Sequence, residues 1–253
     1  MNRMRERGIV VRTAARGMPF ARFLPSALTL LGLCCGATAI RFALTASWKS
    51  AVAAIVLAAI FDAADGALAR FIGADSEFGA QLDSLADLVS FGIAPAMLVY
   101  LWMLNREGGA GWAMALFFCI CCAIRLARFM IESPDADDSA PGDFFSGVPT
   151  PAAACLILLP MIVSFQFTGP TFANPVLSMA VVAAASFLMI SRMPTPSLRA
   201  IHVTQKTRRL FIACAGLLAA LAIVFPWSTL TASLVIYLAS LPAATAIARA
   251  STH

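Results

Sequence analysis

Apolar stretches that are each close to the length of a membrane-crossing helix follow one another along this chain. They lie at 24–45, 48–69, 84–104, 110–130, 149–167, 173–191, 209–225 and 228–247. About 20 residues of α-helix cover the hydrocarbon thickness of a bilayer. The pattern therefore predicts an all-α integral membrane protein, a multi-span bundle of about 8 transmembrane helices.

The composition excludes an ordinary soluble domain. Of the 253 residues, 60% are hydrophobic and only 12% are charged, whereas soluble domains carry about 25% charged residues. A soluble fold with so few charges could not cover its own surface. The two histidines, His202 and His253, are too few for a zinc site of the multi-histidine kind.

Basic residues are concentrated on one side of the predicted spans. Most of the 18 Lys and Arg residues fall on the side of the N-terminus, and Arg41, Lys49 and Arg106 fall opposite. Because cytoplasmic loops carry the excess of Lys and Arg, both termini are predicted to be cytoplasmic, in a multi-pass protein of the cytoplasmic membrane. The basic segment 1–23 is explained by this topology, and a transit peptide or an RNA-binding arm at residues 1–22 is the alternative.

Four aspartates interrupt the apolar pattern of the second and third spans. Asp62 and Asp65 lie three residues apart in the cytoplasmic third of span two, and Asp83 and Asp87 lie four apart at the start of span three. Each pair therefore shares one helical face. A carboxylate at membrane depth costs about 2.5 to 3.5 kcal/mol on insertion scales, so four of them indicate function. If the two faces oppose each other, the carboxylates form an all-oxygen site suited to Mg²⁺ or Mn²⁺.

Small residues accompany these acids. Gly66, Ala69 and Gly79 remove bulk beside the aspartates, which favours the close approach either of a ligand or of a neighbouring membrane helix. Arg70 lies one turn after Gly66 at the membrane boundary. Its guanidinium has two possible partners there, a lipid phosphate or the phosphate of a substrate.

A second acidic segment lies in the loop at residues 131–145. The number of its acidic residues alone could suggest a metal site. They are Glu132, Asp135, Asp137, Asp138 and Asp143. Pro134, Pro141 and Gly142 make the segment rich in turn-forming residues, which favours a solvated loop over a metal site.

The spacing of the aspartates resembles a known signature. Residues 62–87 read D-x2-D-G-x2-A-R-x8-G-x3-D-x3-D, which is similar to the signature of the CDP-alcohol phosphotransferases. The resemblance implies a catalytic core of six membrane helices, placed at 24–191, and a C-terminal pair of membrane helices at 192–253. It also implies an active site that faces the cytoplasm and two divalent cations that bridge the carboxylates and the pyrophosphate of the donor.

The resemblance also assigns roles to individual residues. It implies that Asp62, Asp65 and Asp83 are metal ligands, and that Asp87 shares metal binding and is the catalytic general base. An alcohol is a poor nucleophile until a base removes its proton, which is the physical reason for such a base. The residues that the resemblance assigns to the CDP-diacylglycerol donor are Ser26, Thr29, Gly66, Arg70, Ser76 and Gly79.

Other segments bear on the acceptor alcohol. Segments 24–44, 78–96, 125–129, 144–154 and 188–196 resemble the integral-membrane phosphatidylserine synthases, a subgroup of this family. That resemblance implies CDP-diacylglycerol as donor, L-serine as acceptor and a homodimer. Arg125 and Arg128, three residues apart at the cytoplasmic end of span four, are candidates for binding the serine carboxylate. Anchoring by the positive-inside rule is the alternative for both.

Three positions depart from the family pattern, and two other functions stay open. Ser26 and Met130 stand where Asn is frequent, and Ala67 stands where many relatives carry Arg. A related transferase that uses glycerol 3-phosphate, inositol phosphate or choline is therefore the first alternative. A transporter with a cation site at the membrane midplane is a more distant one, and the near absence of charge from spans five to eight weighs against it.

Overall fold

The computed structural model of the chain describes residues 23–73, 76–132, 144–146, 148–167, 174–191, 194–196 and 216–250. The basic segment 1–22, loop residues 133–143 and most of the loop at 192–208 lie outside the described residues. So does the first part of the predicted span at 209–225. All four aspartates of the predicted cluster fall within the described ranges.

The described chain is almost entirely helical, which confirms the predicted helical class. Its membrane-length apolar helices are Leu24–Leu44, Trp48–Ile72, Glu77–Trp102 and Leu104–Ile131. Two further apolar helices, Thr150–Ser164 and Pro175–Ile190, are shorter. A total of eight spans and a cytoplasmic position of both termini stay predictions.

The first two helices, α1 (Leu24–Leu44) and α2 (Trp48–Ile72), form a tight hairpin. The turn between them contains Ala46 in the left-handed region, at φ 52°. Small residues of both helices are buried, namely Gly32, Gly36, Ala39, Ala43, Ala51, Ala54 and Ala58. Such residues let two helix backbones approach closely where lipid provides no hydrophobic driving force.

The third membrane-length helix has three parts. It consists of α3 (Glu77–Asp87), a π-helical turn (Leu88–Ile93) and α4 (Ala94–Trp102). The predicted span at 84–104 therefore started too late. Ser76 caps the helix, which begins at Glu77. The polar residues Glu77, Gln81 and Asp83 in its first two turns interrupt the apolar run on which the predicted start depended.

The next helix, α5 (Gly108–Glu132), follows a short 3₁₀ turn. Gly108 begins it with a positive φ of 55°, which glycine adopts without steric cost. Gly111 packs directly against the backbone of Leu104, where no Cβ atom would fit. The turn therefore folds back onto the first residues of α5.

Two shorter helices complete the part of the bundle that surrounds the buried core. They are α6 (Thr150–Ser164) and α7 (Pro175–Ile190). Short strands lie next to them in sequence, and β1 (Phe144–Ser146) pairs antiparallel with β2 (Pro194–Pro196), Phe145 opposite Thr195. This ladder, which the sequence did not predict, links the chain before α6 to the chain after α7.

The C-terminal part begins with a helical stretch at 216–224, named α8, and continues with α9 (Pro226–Ala250). Gln166, just after α6, connects α6 to α9. Its amide nitrogen donates to the Trp227 carbonyl oxygen at 3.2 Å and to Thr231 Oγ1 at 2.7 Å. Ser228 Oγ donates to the Gln166 amide oxygen at 2.9 Å. These bonds fix α9 along α6.

Candidate active site

The two halves of the aspartate motif lie on either side of one short connection. Gly73 ends α2 in the left-handed conformation, at φ 65°, and its N–H donates to the Ala69 carbonyl oxygen at 2.9 Å. Ser76 then begins α3, because its Oγ accepts a hydrogen bond from the Gly79 N–H at 3.0 Å. The chain thus reverses within a few residues and returns Asp83 and Asp87 towards α2.

The structure brings the four predicted carboxylates to one place. Asp62, Asp83 and Asp87 each offer an oxygen, and these oxygens lie within 4.8 Å of one another. Asp65 joins them as a wall of the same small cavity. The geometry therefore agrees with the expectation that the two helical faces oppose each other.

Asp65 is held by a neighbour on α1. Thr29 Oγ1 donates to Asp65 Oδ2 at 2.6 Å, and both residues are buried, with 6% and 4% of their surface exposed. A hydroxyl bonded to a carboxylate at this distance forms one of the stronger hydrogen bonds in proteins. The bond fixes the orientation of the carboxylate, which is a role for Thr29 besides the predicted donor contact.

The π-helical turn directly after Asp87 is packed tightly from both sides. On one side Gly36 of α1 contacts Ser90, so closely that a Cβ atom there would lie 2.5 Å from Ser90 Oγ. On the other side Gly92 faces Cys122 of α5, whose Sγ would lie 3.0 Å from an added Cβ. Single π turns inside α-helices are frequent at functional sites, and this one places the end of α3 between α1 and α5.

A larger cleft opens beside the carboxylates. Its volume is about 190 Å³. Its walls are Pro25, Ser26, Thr29, Asp65, Gly66, Ala69, Arg70, Ser76, Gly79, Ala80 and Asp83. All six residues predicted to bind the donor line this cleft, and two of the aspartates belong to its wall as well. The cleft therefore borders the carboxylate cluster.

The two glycines of the cleft differ in what surrounds them. A Cβ atom on Gly79 would lie 2.9 Å from Ser76 Oγ, the oxygen that caps α3, so a larger residue here would displace the Ser76 hydroxyl slightly. A Cβ atom on Gly66 would meet only the Arg70 guanidinium, at 3.5 Å, which is an ordinary contact. Packing does not require glycine at position 66, and its missing side chain enlarges the cleft.

The two candidate acceptor arginines have different surroundings. Arg125 Nη1 donates to Thr150 Oγ1 at 2.7 Å, and its charge lies close enough to Asp87 to interact with it. Arg128 is exposed and donates to the Ile190 carbonyl oxygen at 3.4 Å. The structure thus brings Arg125, and not Arg128, towards the carboxylates.

Of the three departures from the family pattern, only Ser26 lines the cleft. Ala67 and Met130 are not among the residues that form the wall of either cavity. The sequence analysis did not identify Thr150 as a partner of Arg125. Thr150 lies in segment 144–154, which resembles the family.

The chemistry of the donor set suits a hard divalent cation. The ligand atoms are all carboxylate oxygens, they converge within 4.8 Å, and the cavity beside them is lined by the fourth carboxylate. Mg²⁺ and Mn²⁺ prefer such oxygen ligands. A group of like charges at membrane depth is also costly without a cation to compensate it.

Comparison with known proteins gives a family for this arrangement. Residues 22–191 match the family profile described as CDP-alcohol phosphatidyltransferase. Residues 208–242 match a second profile, described as CDP-alcohol phosphatidyltransferase 2. The first match contains both cavities and all four aspartates.

Several relatives share most of the chain. A protein of Mycobacterium leprae is 36% identical over 222 residues, 87% of this chain and 74% of its own length. Proteins of Helicobacter pylori and Bacillus subtilis are 31% and 35% identical over 175 residues, 69% of this chain and 72% and 90% of their own lengths. All three are named CDP-diacylglycerol–serine O-phosphatidyltransferase.

Proposed function

We propose that this chain, which belongs to the CDP-alcohol phosphatidyltransferase family, transfers the phosphatidyl group of CDP-diacylglycerol to L-serine. The products are phosphatidylserine and CMP. The observation that carries the proposal is the cluster of four aspartates at the inner end of a cleft lined by all six predicted donor-binding residues. The names of the relatives support serine as the acceptor.

The cleft between α1, α2 and α3 holds the cytidine diphosphate part of the donor. Arg70, at its outer edge, binds a phosphate through its guanidinium. Gly66 leaves room for the ligand, and Ser26 offers one hydroxyl for a hydrogen bond. These contacts direct the pyrophosphate towards Asp65 and Asp83, which line the same cleft.

The four carboxylates would hold one or two Mg²⁺ or Mn²⁺ ions. Asp62, Asp83 and Asp87 supply converging oxygens, and Asp65 adds an oxygen whose direction Thr29 fixes. When bound, divalent cations supply Lewis-acid stabilisation of the charge that develops on the phosphates. The protein contributes by holding the ligand oxygens in fixed positions before a cation binds.

Asp87 activates the acceptor. Its carboxylate removes the proton from the serine hydroxyl as the serine oxygen forms its bond to the phosphorus of the phosphatidyl group. The bond from that phosphorus to CMP breaks, and CMP leaves with the electron pair. Arg125, whose charge interacts with Asp87, stabilises the carboxylate of the incoming serine.

The predicted topology and domain layout belong to the same proposal. The basic segment 1–23, the catalytic core 24–191 and the C-terminal helix pair 192–253 give a multi-pass protein of the cytoplasmic membrane with a cytoplasm-facing active site. The family profile over residues 22–191 supports the extent of the core. Arg128 as a second acceptor contact and the homodimer also stay predictions.

The experiment is an acceptor panel. The purified chain in detergent receives CDP-diacylglycerol and Mn²⁺ or Mg²⁺ with L-serine, glycerol 3-phosphate, inositol phosphate or choline, each offered separately. CMP release and lipid product are both measured. We expect CMP and phosphatidylserine with L-serine alone. Transfer to another alcohol would contradict serine as the acceptor, and the absence of any CMP release would contradict the enzyme activity itself.

A further inference from the structure

Two buried side-chain polar atoms have no hydrogen-bond partner among the described residues. They are Arg125 Nε and Tyr237 Oη. An unpaired buried polar atom costs about 1 to 3 kcal/mol, and more when the group is charged, so each such atom requires an explanation. Both atoms are donors towards an anion.

The two groups belong to different helices, α5 and α9, and interact with each other. Tyr237 belongs to the inward face of α9, together with Leu230 and Leu234, which pack on the core. It is close enough to Arg125 for the two groups to interact electrostatically. The bonds of Gln166 to Trp227 and Thr231 hold α9 along α6, so this approach is fixed by the fold.

Thr150 sets the direction of the guanidinium. Its Oγ1, on the buried first residue of α6, accepts the hydrogen bond from Arg125 Nη1 at 2.7 Å. One edge of the guanidinium is thus engaged by protein, and Nε stays without a partner among the described residues. The Asp87 carboxylate is near enough to the same guanidinium to interact with it.

We propose that Arg125, Tyr237 and Thr150 form a carboxylate-binding site for the acceptor amino acid, in which Arg125 Nε and Tyr237 Oη donate to the carboxylate and Thr150 orients the arginine. This inference rests on the proposed function and extends it to a residue of the C-terminal helix, within the second profile match at residues 208–242. The acceptor is thereby held with its carboxylate at Arg125 and its hydroxyl at Asp87.

The test removes only the hydroxyl group of Tyr237. In Tyr237→Phe we expect the KM for L-serine to rise by about ten- to a hundredfold, the range for one hydrogen bond to a charged group. The KM for CDP-diacylglycerol and the metal dependence should not change. The matched control is Tyr100→Phe, because Tyr100 is the other tyrosine of the chain and packs edge-on against Trp112. This control should leave both KM values unchanged.

A second readout separates substrate binding from a structural role. Removing a buried hydroxyl that has no partner should leave the melting temperature of the substrate-free protein unchanged or raise it. A hydroxyl that held the fold would lower it on removal. A lower melting temperature together with equal changes in both KM values would therefore overturn the inference.

The outcomes also distinguish this inference from the proposed function. If the wild-type protein forms phosphatidylserine and Tyr237→Phe has the wild-type KM for serine, the inference fails and the proposed function stands. If the wild-type protein uses only glycerol 3-phosphate, the proposed function fails. A rise of the KM for that phosphate in Tyr237→Phe would then overturn the assignment of a carboxylate.

Discussion

The hydrogen bond between Thr29 and Asp65 offers a sharp test of how the carboxylate cluster is organised. Thr29→Val replaces the hydroxyl by a methyl group of similar size, so the packing of α1 against α2 is nearly preserved. It removes the donor that lies 2.6 Å from Asp65 Oδ2 in a buried position. Asp65 then loses the contact that fixes its direction.

The magnitude is set by the geometry of that bond. A hydrogen bond to a charged group contributes about 1.5 to 3 kcal/mol, and about 1.4 kcal/mol corresponds to tenfold in an equilibrium constant. Loss of a residue that orients a metal ligand typically weakens metal binding by about 10- to 100-fold. We therefore expect the Mn²⁺ concentration for half-maximal activity to rise by about this factor in Thr29→Val.

The assay is CMP release measured as a function of Mn²⁺ concentration at saturating substrates. Thr29→Ser should stay near the wild-type value, because it retains the hydroxyl. Thr38→Val is the matched control, since Thr38 lies on the same helix and donates to the Cys34 carbonyl oxygen, away from the aspartates. An unchanged metal dependence in Thr29→Val would refute the conclusion that Thr29 organises Asp65 as a ligand.

Two further substitutions test the π turn and the cleft. Gly36→Ala should lower the free energy of unfolding by about 1 to 3 kcal/mol, because its Cβ would lie 2.5 to 2.8 Å from Ser90 atoms. Gly32→Ala is its stability control in the same thermal-unfolding measurement, since its nearest contact would be 3.6 Å. Gly66→Ala should raise the KM for CDP-diacylglycerol without lowering the melting temperature. A wild-type KM in this variant would contradict binding of the donor in the cleft beside Gly66.

The sequence was sufficient to predict those features that depend on local pattern. Apolar length located the first six helices, because a membrane helix must be apolar over a known distance. The spacing of the aspartates placed each pair on one helical face, and the short connection through Gly73 and Ser76 made the faces meet.

Other features depend on contacts between distant parts of the chain. The bond from Thr29 to Asp65 joins residues 36 apart in sequence, and the interaction of Tyr237 with Arg125 joins α9 to α5, which are farther apart still. The π turn after Asp87 has the same apolar composition as an ordinary helical turn. Its position depends on close packing against Gly36 and Cys122, which no single-helix pattern encodes.

We propose that the four aspartates perform metal-dependent transfer with Asp87 as the base. The most direct measurement compares wild type and Asp87→Asn for CMP release with L-serine and for binding of CDP-diacylglycerol. We predict that Asp87→Asn is folded and binds the donor but has lost turnover. Near-wild-type CMP release in this variant would contradict the account.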